Sequence, residues 1–212
     1  MHTGRISHPS NTPHGRRPIA PSAVKPEGKM FTAYGPLEMP EPRALSTEEV
    51  AGTVRDFRRA AGAAVEAGAD GVGIHEANGY PAQRFLSSNA NRRDDRYGGS
   101  IPNRIRFAVE VASAVAEEIE AGRTGVRVSP GNPFNDVVED DVPALYRALL
   151  DEELATLVAY LHLLHGGDED LLRSVRRDWT GVLVLNRVGG DERGYTDYPT
   201  LRETVTAGAH AA

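Results

Sequence analysis

The residues best suited to chemistry lie close together near the middle of the chain, in Gly71-Val72-Gly73-Ile74-His75-Glu76-Ala77-Asn78-Gly79-Tyr80. An apolar run ends in His75, and Asn78 and Tyr80 follow three and five residues later. Two side chains there can bond one oxygen, and a phenol can give a proton. In α/β barrels the carboxyl ends of all strands open onto one mouth, so a strand ending in such residues is a candidate active site. The alternative is structural: a buried histidine at a strand end followed by an Asn-Gly turn. Zinc is disfavoured, because no second ligand stands at ligand spacing and Glu76, next to His75 on a strand, points to the opposite face.

Arg127 is the second candidate. It interrupts the apolar stretch Gly125-Val126-Arg127-Val128-Ser129-Pro130. A cation inside a parallel strand is expensive unless it is paired. A barrel interior, a bound anion or a structural salt bridge would each satisfy it. Phe134-Asn135, in the loop that follows, can line a pocket mouth or form a plain turn. The stretch Asn91 to Ser100 alternates in charge and reads by itself as a surface loop with local ion pairs. His162 and His165 are three apart in or beside a strand and face different ways, which argues against a metal pair; no metal site is expected.

The elements that must position these residues follow from periodicity. Residues 1–45 are rich in Pro, Gly and Ser and read as a long loop. Ser46-Thr47-Glu48-Glu49 has the form of a capping box, with Val50, Val54, Phe57, Ala61 and Val65 behind it at helical spacing and Gly68 as the stop. A strand is expected at about 71–75. A helix from Ser100 carries Ile101, Ile105, Ala108, Ala112, Val115 and Ile119 on one face, and Gly122 ends it. A strand over 124–129, a helix over 142–156 and a strand over 158–164 come next. A short helix over 169–176, a strand over 181–185 and a last helix from Asp197 to Gly208 complete the pattern. Strand and helix alternate four times, which implies a parallel sheet with crossover helices. Four such strands make either an open doubly wound sheet or half of an eight-stranded barrel. No Gly-x-Gly-x-x-Gly follows a strand, so a dinucleotide-binding sheet gains no support. The division expected is one domain, a long loop segment over 1–45 and a partial barrel over 46–212.

Composition bounds the partners. The net charge is −6, which disfavours nucleic acid or anionic membrane. The 212 residues include no cysteine, so disulfides, thiolate metal sites and a cysteine nucleophile are excluded. No run approaches the ~18 apolar residues of a membrane span. The amino terminus lacks the apolar core of a signal peptide, and a cytoplasmic setting is the expectation.

Taken together, the motifs resemble the Old Yellow Enzyme family of flavin-dependent ene reductases. His2-Thr3-Gly4-Arg5-Ile6-Ser7-His8 is similar to the family segment after its third barrel strand. Ile74 to Tyr80 resembles its active-site signature. Asn91 to Asn103, with Asp94, Arg96-Tyr97-Gly98-Gly99-Ser100 and Asn103-Arg104, resembles its most recognisable stretch. Gly125 to Pro130, Phe134-Asn135 and Ala159-Tyr160-Leu161-His162 also match, in order and at family spacing. The resemblance implies an incomplete (β/α)8 TIM barrel, about strands four to seven, that reduces activated C=C bonds. His75 and Asn78 would hold the carbonyl or nitro oxygen of a small electron-poor alkene, Tyr80 would deliver a proton, Phe134 would line the substrate site, and Arg127 would lie against FMN. NADPH or NADH would be the electron donor. Glu76 and Pro81 depart from frequent family choices. The family's strand-three glutamine and its phosphate-gripping Gly-Arg pair have no counterpart, and Asn186-Arg187-Val188-Gly189-Gly190 differs from the family's small-residue turn. An incomplete form that holds FMN weakly is therefore expected. Two other readings remain beside it: an inactive barrel fragment that works only through another chain, and a flavin-free α/β-barrel lyase or isomerase.

Overall fold

The computed structural model describes residues 4–187. The first of them hold more structure than their composition suggests. A short parallel pair joins β1 (Ile19–Ala20) to β4 (Arg43–Ala44), and β2 (Lys29–Thr32) and β3 (Gly35–Glu38) form an antiparallel hairpin between them. The stretch read as a structureless loop therefore carries a hairpin. Its strands are short and largely exposed, so they leave almost no alternating pattern to read.

The principal layer is a four-stranded parallel sheet of β5 (Val72–Glu76), β6 (Thr124–Val128), β7 (Tyr160–His165) and β8 (Val182–Arg187), in the order β5-β6-β7-β8. Chain order equals spatial order. A doubly wound sheet reverses its order at a switch point, whereas a barrel steps round in sequence. The register aligns His75, Arg127, His162 and Val184 in one row across the four strands. One residue earlier, Ile74, Val126, Leu161 and Leu183 form the neighbouring row. Side chains alternate faces along a strand, so the two rows point opposite ways.

The second row faces the helices. α1 (Thr47–Glu66) starts at the expected capping box, with the Ser46 hydroxyl accepting from the Glu49 N–H and the Glu49 carboxylate accepting from the Ser46 N–H. α3 (Ile101–Ile119) ends at Glu120, which takes the positive φ of 74°; Gly122 lies one turn further on, in the 3-10 turn Ala121–Arg123. The helix expected over 142–156 is two, α4 (Val142–Leu149) and α5 (Glu152–Leu157). Leu145, Leu149, Leu150 and Leu154 are all buried, and the chain leaves helical geometry at Leu150, the C-cap of α4. The strand expected at 158–164 starts later, at Tyr160. α6 (Glu169–Asp178) runs to within a few residues of β8. Ile74, Val126, Leu161, Phe107, Val111, Leu145 and Trp179 belong to one continuous apolar core. The helix expected from Asp197, residues 188–190 of the turn after β8, and His2-Thr3 lie outside the described residues.

α2 (Pro81–Leu86) is an element that periodicity misses, because six residues are too few to show a period. Tyr80 caps it, and Pro81 occupies the first turn, where its missing N–H is no loss. The helix places Gln83 and Arg84, both buried, directly behind the turn that carries Asn78.

Candidate active site

β5 delivers His75 to the face opposite the helices, and the chain then turns sharply. Asn78 and Gly79 both take positive φ, 56° and 70°. Asparagine tolerates that region better than other side chains. At Gly79 a Cβ would stand 2.7 Å from the Asn135 Cβ and 2.8 Å from the Phe134 carbonyl oxygen, so only glycine fits. The turn brings the Tyr80 ring against that of His75, with centroids 5.2 Å apart and planes tilted by 43°.

The loop after β6 holds this turn in place. The Asn78 N–H donates to Ser129 Oγ (2.9 Å), and Asn135 Nδ2 donates to the Asn78 carbonyl (2.7 Å). The Gly79 N–H donates to Gln83 Oε1 (2.7 Å), while Gln83 Nε2 donates to the Ser129 carbonyl and to Glu139, both at 3.0 Å. Glu139 also accepts from the Gly131 N–H (2.9 Å) and from the Tyr146 hydroxyl (2.9 Å). Burial pushes the Glu139 carboxyl above its ordinary range, against the pull of those donors. Gln83, Ser129, Asn132 and Glu139 were not singled out from the sequence. Each is a common residue in a loop or a very short helix, and only the fold brings them to one turn.

Arg127 lies in the same row as His75, one strand away. Its side chain is half-buried, it pairs with no carboxylate among the described residues, and its Nε is buried without a partner. Among the described residues the structural salt bridge considered for it does not occur. His162 is next in the row; burial lowers its pKa, and the Arg127 charge adds to that effect. Below this row Gly125 makes room for Tyr160, whose ring would be 2.1 Å from a Cβ there. His165 is on the opposite face, beside Glu169 and Arg187, and among the described residues no group of three metal-ligating side chains occurs.

A cavity of about 620 Å³ opens at the carboxyl end of the sheet. Asn78, Asn132 and Phe134 line it, together with apolar groups such as Val142, Leu163 and Leu171. Phe134 is 58% exposed at its edge. His75, Tyr80 and Arg127 do not line this cavity; they share the inner sheet face beside it.

The segment Asn91–Ser100 is stitched inward more than its charges suggest. Arg93 pairs with Asp95 at 2.5 Å, as expected of a local ion pair, and also donates to the carbonyls of Pro21 and Leu45. Buried Asn91 donates to the carbonyls of Phe85 and Tyr97, both at 2.7 Å. Arg5, fully buried, reaches Asp136 and so ties the first described residues to the loop after β6.

Residues 1–165 match the model of the NADH:flavin oxidoreductase / NADH oxidase family. The chain belongs to this family. It is 40% identical over 189 residues to a probable flavin mononucleotide-dependent alkene reductase of Leishmania infantum, covering 85% of this chain and 52% of that protein. It is 43% identical over 211 residues to 12-oxophytodienoate reductase 1 of Oryza sativa subsp. japonica, covering 91% and 52%. Among solved structures, morphinone reductase in complex with tetrahydroNAD superposes with a TM-score of 0.86 at 35% identity, covering all of this chain and 58% of that one. The chain thus spans about half the length of the curated relatives it matches. Its four parallel strands are an arc of the family's (β/α)8 barrel, which decides between the two sheet types left open by periodicity.

The residues present fit one edge of the family's flavin. Arg127 offers an uncompensated cation and a buried N–H without a partner, on the face where the row of His75 and His162 leaves no carboxylate. No helix among the described residues is long and apolar enough to cross a membrane.

Proposed function

We propose that this chain carries half of the active site of an FMN-dependent reductase of activated C=C bonds, in α,β-unsaturated carbonyl or nitro compounds, with NADPH or NADH as electron donor. The observation that carries this reading is the grouping at the end of β5. A rigidly held Asn78, His75 and a Tyr80 ring against it stand one strand from the unpaired Arg127. The family match and the alkene-reductase relatives favour it over a flavin-free lyase or isomerase.

FMN, when bound, supplies the hydride for the β-carbon. His75 and Asn78 donate hydrogen bonds to the substrate's carbonyl or nitro oxygen. Negative charge grows on that oxygen as the β-carbon accepts hydride, so these bonds strengthen in the transition state and lower the barrier. Tyr80 gives its proton to the α-carbon, and hydride plus proton complete the saturation of the double bond. Arg127 holds one edge of the flavin, where a cation favours the reduced ring. Phe134 covers the substrate at the cavity rim. A cytoplasmic setting, where nicotinamide donors are supplied, suits this chemistry.

The test is an anaerobic incubation with excess FMN, cyclohex-2-enone and NADPH or NADH. Cyclohexanone formed in step with nicotinamide oxidation supports the reading. Oxidation of the nicotinamide with no loss of enone, at saturating FMN, contradicts it.

A further inference from the structure

Among the described residues the side chain of Asn78 has one hydrogen-bond partner, Asn132, and that partner has a fixed polarity. Asn132 Oδ1 accepts from the Phe134 N–H at 3.0 Å. A backbone N–H can only donate, so this bond decides which end of the Asn132 carboxamide is the oxygen. Its Nδ2 is then turned toward Asn78 and donates to Asn78 Oδ1 at 3.1 Å. With its oxygen drawn to that donor, Asn78 turns its NH2 group, with two free N–H, away from Asn132. The main chain at Asn78 is pinned separately, by Ser129 and Asn135, so reorientation is confined to the side chain. Asn78, Asn132 and Phe134 all line the cavity of about 620 Å³.

We infer that Asn132 is a positioning residue that sets the polarity of the Asn78 carboxamide, so that the cavity meets a donor and selects ligands carrying an oxygen acceptor. The inference rests on the reading of Asn78 as an oxygen-binding group. The chain of bonds runs one way: Phe134 N–H to Asn132, Asn132 NH2 to Asn78, Asn78 NH2 to ligand. Turning the Asn78 amide over would set two NH2 groups against each other. Replacing the Asn132 NH2 by an acceptor reverses the logic. In Asn132→Asp the introduced carboxylate still accepts from the Phe134 N–H, but its second oxygen draws the Asn78 NH2 back toward the loop and leaves the Asn78 oxygen facing the cavity. Asn132 stands half-exposed in a surface loop, so the change is compatible with the fold.

The test is side-chain amide NMR of the ¹⁵N-labelled chain, with the Asn78 signals identified by their loss in Asn78→Asp and cyclohex-2-enone as the probe. In the wild-type chain the Asn78 NH2 signals should move as enone is added. In Asn132→Asp one Asn78 NH2 proton should move downfield before any enone is present, because it bonds a carboxylate, and the enone response should weaken roughly ten-fold or more. Asn132→Ala introduces no charge and only frees the amide; its response should fall in between, and it serves where Asn132→Asp disturbs the loop. Equal enone responses in wild type, Asn132→Asp and Asn132→Ala overturn this inference alone. A wild-type Asn78 amide indifferent to enone overturns the reading of the site, and the inference with it.

Discussion

The two faces of the same four strands differ by one residue of register and by almost everything else. The row Ile74, Val126, Leu161, Leu183 packs against helices in a continuous apolar core. The row His75, Arg127, His162, Val184 holds a cation, two imidazoles and a valine 43% exposed. Apolar packing is concentrated in one row and ionisable side chains in the other. A strand's period of two makes that separation possible without any change of backbone. In these two rows the helix-facing residues are all apolar, and the charged and ionisable side chains stand on the inner face.

Beyond these rows the helix-facing side also buries Thr124 and His165, and Glu76 departs furthest from the contrast. It follows His75 and falls on the core face, where it is fully buried and neither carboxylate oxygen has a partner. Burial pushes its pKa up to about 8 from an ordinary 4.5. The folded protein therefore keeps this proton where the unfolded chain has lost it.

Breaking the core face has the largest expected effect. Leu161→Ala, at a wholly buried position, should destabilise by ~2–5 kcal/mol in urea denaturation. Its neighbour on the other face, His162→Ala, should change stability by less than ~1 kcal/mol. Similar losses for the two would erase the distinction between the faces.

Glu76→Gln comes next. Below pH 4.5 the carboxyl is protonated in both states, and its pKa shift leaves stability unaffected there. Between 4.5 and about 8 the unfolded chain alone releases the proton, so stability falls as pH rises, by up to about 1.4 kcal/mol per pH unit, and levels off above. Thermal melts across this window should show that slope in the wild type and a flatter curve, with a higher midpoint at pH 8, in Glu76→Gln. Parallel curves would mean that Glu76 finds a charge partner.

The smallest effect on folding belongs to Arg127→Leu. Removing an unpaired, half-buried cation should leave stability within about 0.5 kcal/mol or raise it slightly. The wild-type chain is expected to perturb the FMN absorption spectrum at high FMN, and the same variant should abolish that perturbation. A large loss of stability would show that Arg127 is structural.

Much of this was legible in the sequence, and what was not has physical reasons. His75, Asn78, Tyr80 and Arg127 stand out because chemistry-bearing types interrupt apolar strands, and the alternation of Ile74, His75 and Glu76 already separates the faces. The α1 capping box and the long stripe of α3 were readable because many residues vote for one period. The hairpin at Lys29–Glu38 and the six-residue α2 offered too few votes. The clamp of Gln83, Ser129, Asn132, Asn135 and Glu139 on the Asn78 turn joins residues up to 57 positions apart, through contacts that no local pattern encodes. The bonds from the loop after β6 to Asn78 likewise join residues more than fifty positions apart.

The central claim is that His75, Asn78 and Tyr80 act on the alkene and not on the flavin. Stopped-flow measurement with excess FMN separates nicotinamide-driven flavin reduction from alkene-driven flavin reoxidation. The double change His75→Ala with Asn78→Ala, and separately Tyr80→Phe, should leave the first rate within a few-fold of wild type. Each should slow the second, Tyr80→Phe by roughly 10²–10⁴-fold if general acid catalysis has its usual weight. Equal slowing of both half-reactions by these variants would contradict the account and make the cluster a structural one.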